Sequence, residues 1–332
     1  MPVKMRVFII LIFLLPFLLS FQSEGRSYPT YETYLTPKGI EFTSYSSNWD
    51  QRKLQELYVE LLKNGHGEEL TELKAVKIYP DKHQASNTKG SYQALSKTIT
   101  LYQGDKYVHV EDYRDTLSHE YGHHFAYYYF PSHHFPFSKW SVVRGLEHEA
   151  IRWDAFWNYK EEHHANYPQE IFADDYVLLF GSTSEMNSKT FTDHEPFYLR
   201  TEHENQNIPN ILENKPLIEM IELESGLSVE PSRLIEMPHF TNITDNLVSY
   251  QITKKANIAY RLNVHLHDIK NEYGSTVMEF YEITVNDDIS ELHFNIEQAI
   301  EKNDSNYLSF SLDVVDLSTS IGFETEKITV GI

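Results

Sequence analysis

His119-Glu120-Tyr121-Gly122-His123 sets two imidazoles four residues apart, with a carboxylate between them. On a helix such a pair lies on one face, so both rings can reach a single ion. The carboxylate beside the first His then points toward water on that ion, where it can accept a proton. The chemistry expected of this set is metal-assisted hydrolysis, with Zn²⁺ as the metal and Glu120 as the general base. The chain holds 17 His and no Cys, so any metal site must be built from His, Asp and Glu. Disulfides and thiol chemistry are excluded.

Zinc needs a third protein ligand. The run Pro168-Gln169-Glu170-Ile171-Phe172-Ala173-Asp174-Asp175-Tyr176 again places two carboxylates, Glu170 and Asp174, four apart on one helical face. Glu170 can complete the site. Asp174 can accept the Nδ1–H of a ligating His, which fixes its tautomer and raises its basicity. A third ligand from Asp174 or Asp175 is the alternative, and it would leave Glu170 without that role.

HExxH on one helix and Glu-x-x-x-Asp on a second resembles the gluzincin group of zinc peptidases, which includes the thermolysin-like enzymes. The matching residues are His119, Glu120, His123, Glu170 and Asp174, with Ala173 where the pattern has Ser or Ala. The resemblance spans about Asp112 to Gly181. The spacer from His123 to Glu170 is longer than in the thermolysin-like enzymes, and Gln169 stands where many carry Asn, so the implied relation is divergent. It implies an α+β zincin-like catalytic domain and a peptide or protein substrate. It also implies an edge strand at Lys97–Tyr102 pairing with an extended peptide, and a Tyr or His that steadies the oxyanion. Tyr176, Tyr167 and His194 are the candidates for that last role, with Tyr198 and His203 behind them. The metzincin extension is absent, because Ala126 and Tyr129 stand where Gly and His are required. His148-Glu149 begins a second motif, but Arg152 breaks it.

These residues need elements to hold them. Asp112 to Phe130 is expected as the motif helix, capped by Asp112 and closed by Pro131. Pro168 to Phe180 is expected as its partner, with Pro at the first turn and Gly181 as the stop. A further helix is expected from Leu146 to about His163. Upstream, Gly39–Tyr45, Ala75–Tyr79 and Lys97–Tyr102 read as strands, and Asp50–Lys63 as a helix with Leu54, Leu57, Leu61 and Leu62 on one face. Asn210–Glu224 reads as a helix interrupted at Pro216. After Met237 the pattern changes to short β-rich runs: Leu247–Ile252, Ala256–His265, Thr276–Phe280, Glu282–Val285, Glu291–Ile296, Leu308–Val315 and Lys327–Ile332. That spacing predicts an all-β sandwich of immunoglobulin or fibronectin type.

The expected domains are therefore 1–25 as signal peptide, 28–235 as the catalytic domain and 240–332 as the sandwich. Lys4 and Arg6 before the apolar run Val7–Leu19, followed by Ser20–Ser27, have the layout of an export signal. The run is short of the roughly 20 residues a membrane span needs. The chain outside it is expected to be secreted, with an uncleaved N-terminal anchor as the alternative and no span in the mature protein. A net charge of −21, spread along 332 residues, argues against nucleic acid as a partner. The rival reading of function is a cell-surface or secreted binding protein, its sandwich carrying recognition and its zinc site structural. Glu120 counts against that, since a structural site has no use for a base there.

Overall fold

The computed structural model describes residues 28–82, 88–147, 150–186, 195–244, 246–266, 276–303 and 307–331. The segment expected as an export signal, His194, His148-Glu149 and residues 267–275, between two of the late strands, lie outside those residues. Among the described residues the fold is mixed α+β with several separate sheets and no barrel. Two compact units divide it, one from residues up to Ser182 with Glu204–Val229, the other from Thr183–His203 with Glu230–Ile332.

In the first unit the strands are β1 (Glu32–Leu35), β2 (Glu41–Ser44), β3 (Ala75–Ile78), β4 (Gly90–Gln93) and β5 (Thr98–Leu101). They form one sheet in the order β1-β2-β3-β5-β4, parallel across β2, β3 and β5 and antiparallel at both ends. Phe42, Val76, Ile78, Ile99 and Leu101 are fully buried, as strands covered by helices require. Each such side chain stabilises the fold by about 1.5–3 kcal/mol relative to exposure.

Helix α1 (Gln51–Leu61) starts where Asp50 accepts the Lys53 N–H at 3.0 Å, and it buries Leu54, Leu57 and Leu61. The motif helix α2 (Arg114–Tyr129) follows a 3₁₀ turn, Val110–Tyr113. Asp112 does not cap α2; its carboxylate accepts the His109 N–H at 3.0 Å and closes the turn before it. After α3 (Lys139–Arg144) the expected helix from Leu146 to His163 is replaced by a single turn, Ala155–Asn158, and a 3₁₀ stretch, Glu161–Asn166. Asp154 takes hydrogen bonds from Arg152 and Asn158, and the Arg152 N–H is tied to the Asn166 carbonyl, so local polar bonds compete with a helical ladder there. Helix α4 (Pro168–Phe180) has the expected bounds, with Pro168 in its first turn and Gly181 at its C-cap. Pro216 does not interrupt α5 (Lys215–Ser225) but opens it.

In the second unit, β6 (His239–Thr244), β7 (Leu247–Gln251) and β10 (Glu291–Asn295) form an antiparallel sheet in the order β10-β7-β6. A second antiparallel sheet holds β8 (Ile258–Leu266), β9 (Thr276–Ile283), β11 (Tyr307–Asp316), β12 (Gly322–Glu324) and β13 (Ile328–Gly331), with β11 flanked by β8, β12 and β13. The two runs expected at Thr276–Phe280 and Glu282–Val285 are one strand, β9. Both sheets contribute to one apolar cluster, including Val248, Tyr250 and Phe294 from the first and Leu262, Val264, Phe310 and Leu312 from the second. A helix, α6 (Glu297–Lys302), follows β10. Among the described residues no helix is long and apolar enough to cross a membrane.

Candidate metal centre

Helices α2 and α4 carry the candidate metal ligands, and their close approach depends on Gly122. A Cβ at Gly122 would come within 2.9 Å of the Ala173 carbonyl oxygen and 3.0 Å of the Ala173 Cα, closer than packed atoms tolerate. The glycine inside the His motif and the small residue before Asp174 therefore let the two backbones meet. Phe125, Phe172 and Tyr176 pack beside that crossing, with ring centroids 5.0 Å apart for Phe125–Tyr176 and 6.3 Å for Phe125–Phe172.

The crossing brings three side chains to one point. His119 Nε2 lies 3.2 Å and His123 Nε2 3.1 Å from Glu170 Oε2. Ligand atoms on a tetrahedron with bonds of about 2.0 Å stand about 3.3 Å apart, so these spacings suit a zinc-sized ion. All three ligand atoms lie within 4.8 Å of one another, and the group can hold a metal ion. The chemistry of the donors agrees. His119 Nδ1 lies 2.9 Å from Asp174 Oδ1, and since the carboxylate can only accept, Nδ1 carries the hydrogen. In the neutral ring Nε2 keeps its lone pair facing a carboxylate oxygen, and the contact is satisfied either by a cation between them or by a second proton on the ring.

The charges follow from this geometry. Burial alone would push the Glu170 carboxyl up, but His123, His119 and His164 hold it well below the usual carboxylate range. For His119 burial again opposes the charged form, and the hydrogen bonds to Asp174 and Glu170 outweigh it, raising its proton affinity well above that of a free imidazole. Glu120 is buried on the same helix, and there burial, with a contribution from Glu170, wins over the two motif histidines and raises its pKa.

Two further residues join the site. His164 Nε2 lies 3.3 Å from Glu170 Oε2, while its Nδ1 lies 2.6 Å from Glu204 Oε2. Both partners are acceptors, so each ring nitrogen is set to donate. Glu204 and Glu170 raise the His164 pKa to about 9 against the opposing effect of burial. The Glu204 N–H also donates to Asp174 Oδ2 at 2.9 Å. Glu204 thus supports Asp174 with its backbone and His164 with its carboxylate. Its position in the sequence carries no motif that would have pointed to it.

Of the residues expected to steady an oxyanion, Tyr176 is buried and its hydroxyl donates to the Gly65 carbonyl at 2.6 Å. Tyr167 is also buried; its hydroxyl accepts the Lys160 N–H at 2.8 Å and donates to the Asn158 carbonyl at 3.2 Å. Both hydroxyls are therefore engaged with backbone. Tyr198 and His203 fall in the second unit, and Tyr198 lies 5.2 Å from the Arg261 guanidinium. Tyr159, which the sequence did not single out, is half exposed at 48% and stacks on Tyr167 with centroids 4.9 Å apart. Its ring is 6.4 Å from that of His164, and burial with the charges of Glu170, Glu161 and Glu120 keeps its phenol protonated. The terminal strand of the sheet is β4, whereas β5, expected at the edge, is interior, between β3 and β4.

No family model and no curated protein matches the chain. Among solved structures, a crystal structure of wild-type OgpA from Akkermansia muciniphila is similar at 8% identity and a TM-score of 0.22, covering 77% of this chain. This chain spans 65% of the length of that one. A second crystal form gives 10% identity, a TM-score of 0.23, and coverage of 84% and 69%. A catalytically inactive OgpA in complex with an O-glycopeptide (glycodrosocin) substrate gives 8% identity and a TM-score of 0.20, covering 77% and 64%. Scores of this size do not establish a shared fold.

Proposed function

We propose that the protein is a secreted zinc metallopeptidase of gluzincin type, divergent from the thermolysin-like enzymes, in which His119, His123 and Glu170 hold one Zn²⁺. The observation that carries this reading is the convergence of two imidazole nitrogens on the Glu170 carboxylate, with Asp174 fixing the His119 tautomer. The reading assigns residues 28–235 to a zincin-like domain and 240–332 to an immunoglobulin-like sandwich. A peptide or protein is the substrate, and residues 1–25 direct export.

A Zn²⁺ ion held there would supply Lewis acidity toward the scissile carbonyl and make water a nucleophile near neutral pH. The remaining work falls to side chains. Glu120 takes a proton from the attacking water, and its raised proton affinity suits it to hand that proton on to the leaving amine. Asp174 keeps His119 in the ligating tautomer, and Glu204 keeps Asp174 in place. Tyr159, protonated and half exposed beside His164, offers a neutral donor for the developing oxyanion. The test is the Glu120→Gln variant. It is expected to bind one Zn²⁺ per chain and to cleave peptides at least about 100-fold more slowly than the wild type. Full activity in that variant would refute the mechanism.

A further inference from the structure

Strand β4 carries a glycine where its backbone crosses Glu120. Gly90 is buried, and it pairs with Leu101 across the ladder. A Cβ built there would lie 2.7 Å from Glu120 Oε1, 2.9 Å from Glu120 Cγ and 2.5 Å from Thr116 Cγ2. No side chain fits those distances, so the Glu120 carboxylate occupies the space a side chain at residue 90 would need. A glycine within a strand weakens it, and its usual justification is the close approach of another group. Here that group is the buried carboxylate one residue from a metal-ligating imidazole.

We propose that Gly90 is a positioning residue for Glu120: its missing side chain leaves the carboxylate room to adopt the conformation that general-base catalysis uses. The proposal rests on the peptidase reading for its catalytic consequence and on geometry alone for its positional claim. Gly90 itself touches no reacting atom. Its neighbour Thr116 presses on the same space from one turn earlier on α2, so strand, Thr116 and Glu120 form one close-packed contact.

The test separates the contact with Glu120 from the contact with Thr116. In a Thr116→Ser background, which removes the threonine Cγ2, Gly90→Ala brings a methyl group against Glu120 alone. The expected result is a fall in kcat of about 100-fold with KM changed by less than about threefold, since displacing a catalytic group by about 1 Å has that scale of effect. Zn²⁺ affinity, measured by chelator competition, stays within about threefold of the parent, because the ligands are not touched. Glu120→Ala removes both Cγ and the carboxylate and so makes room for the methyl; in that background Gly90→Ala changes the residual rate by less than about threefold. Equal losses with the full-length base and with the Glu120→Ala substitution would overturn the proposal, as would parallel collapse of Zn²⁺ affinity and thermal midpoint. A crystal structure of the Thr116→Ser/Gly90→Ala protein decides the positional claim without any assay. The Glu120 carboxylate is expected to move by about 1 Å or more, and an unmoved carboxylate refutes the claim. Absence of Glu120-dependent hydrolysis in the Thr116→Ser parent would sink the peptidase reading, and the crystal structure would still decide whether Gly90 sets the carboxylate.

Discussion

Two of the buried carboxylates that helix α2 serves in the first unit, Glu69 and Glu170, are finished in opposite ways. Glu69 is fully buried. It accepts Tyr121 Oη–H at 2.7 Å, Tyr129 Oη–H at 2.8 Å and the Gly67 N–H at 3.0 Å. Its own carbonyl takes the His124 Nε2–H at 2.7 Å, which leaves His124 Nδ1 to accept from the Tyr92 hydroxyl at 2.9 Å. Every acceptor there has a neutral donor, and nothing further is needed. Glu170, 7% exposed, faces imidazoles instead, one of which is already engaged with Asp174 through its other nitrogen. The same helix therefore supplies phenols to a carboxylate that is sealed and imidazoles to one that could share a cation with them. What distinguishes a structural buried acid from a ligand is the protonation demand of its partners, more than its burial.

The largest effects should come from crossing these two regions. Glu170→Ala is expected to abolish tight Zn²⁺ binding and with it hydrolysis, while Glu69→Ala leaves Zn²⁺ affinity intact and lowers stability by a few kcal/mol, having stranded the buried Tyr121 phenol, the half-buried Tyr129 phenol and an amide. Zn²⁺-dependent thermal shifts on both variants measure this, and a Glu69 variant that loses metal binding would break the distinction. Next in size, Asp174→Asn keeps a side chain of the same shape but no longer a charged acceptor for His119. Zn²⁺ affinity should fall about 10- to 100-fold, read by chelator competition. Tyr121→Phe removes one donor from Glu69 and is expected to cost about 1–3 kcal/mol in urea unfolding with unchanged peptidase activity.

The smallest of these effects is in the pH dependence of stability, and it concerns histidines that belong to neither carboxylate. Burial lowers the pKa of His133 to about 3, with His134 adding to the shift, and burial lowers that of His134 to about 4. The folded state thus holds both neutral, whereas the unfolded chain protonates them below about pH 6.5. Depressed folded values mean that stability is full above about 6.5 and is lost as pH falls toward 4 and 3. Replacing His133 with Phe should make the drop in unfolding free energy between pH 7 and 5 shallower, by on the order of 2 kcal/mol. An unchanged slope would show that His133 is not held neutral.

The sequence made the ligand pair and both motif helices legible because the cues are local. Four-residue spacing, Pro168 at a first turn and Gly181 at a stop need no knowledge of the rest of the chain. The residues that hold the site together were less visible, since they come from distant segments. Glu204 meets Asp174 and His164 only after the chain has returned to the first unit. Strand β4 reads Gly-Ser-Tyr-Gln, with no run of β-prone residues, and it is defined by its ladder to β5. Tyr167 and Tyr176 carry no spacing argument in the sequence, and both hydroxyls bond to backbone carbonyls. The stretch before Pro168 looked helical from its composition, and the bonds around Asp154 and between Arg152 and Asn166 draw it into short turns.

The central claim is that α2 and α4 meet in order to hold a metal ion. Calorimetric titration of Zn²⁺ into the metal-free protein tests it most directly. The account predicts one tight site per chain in the wild type and in Glu120→Gln, and none in His123→Ala. A wild-type protein that takes up no Zn²⁺, or a His123→Ala variant that binds it as tightly, would contradict the account.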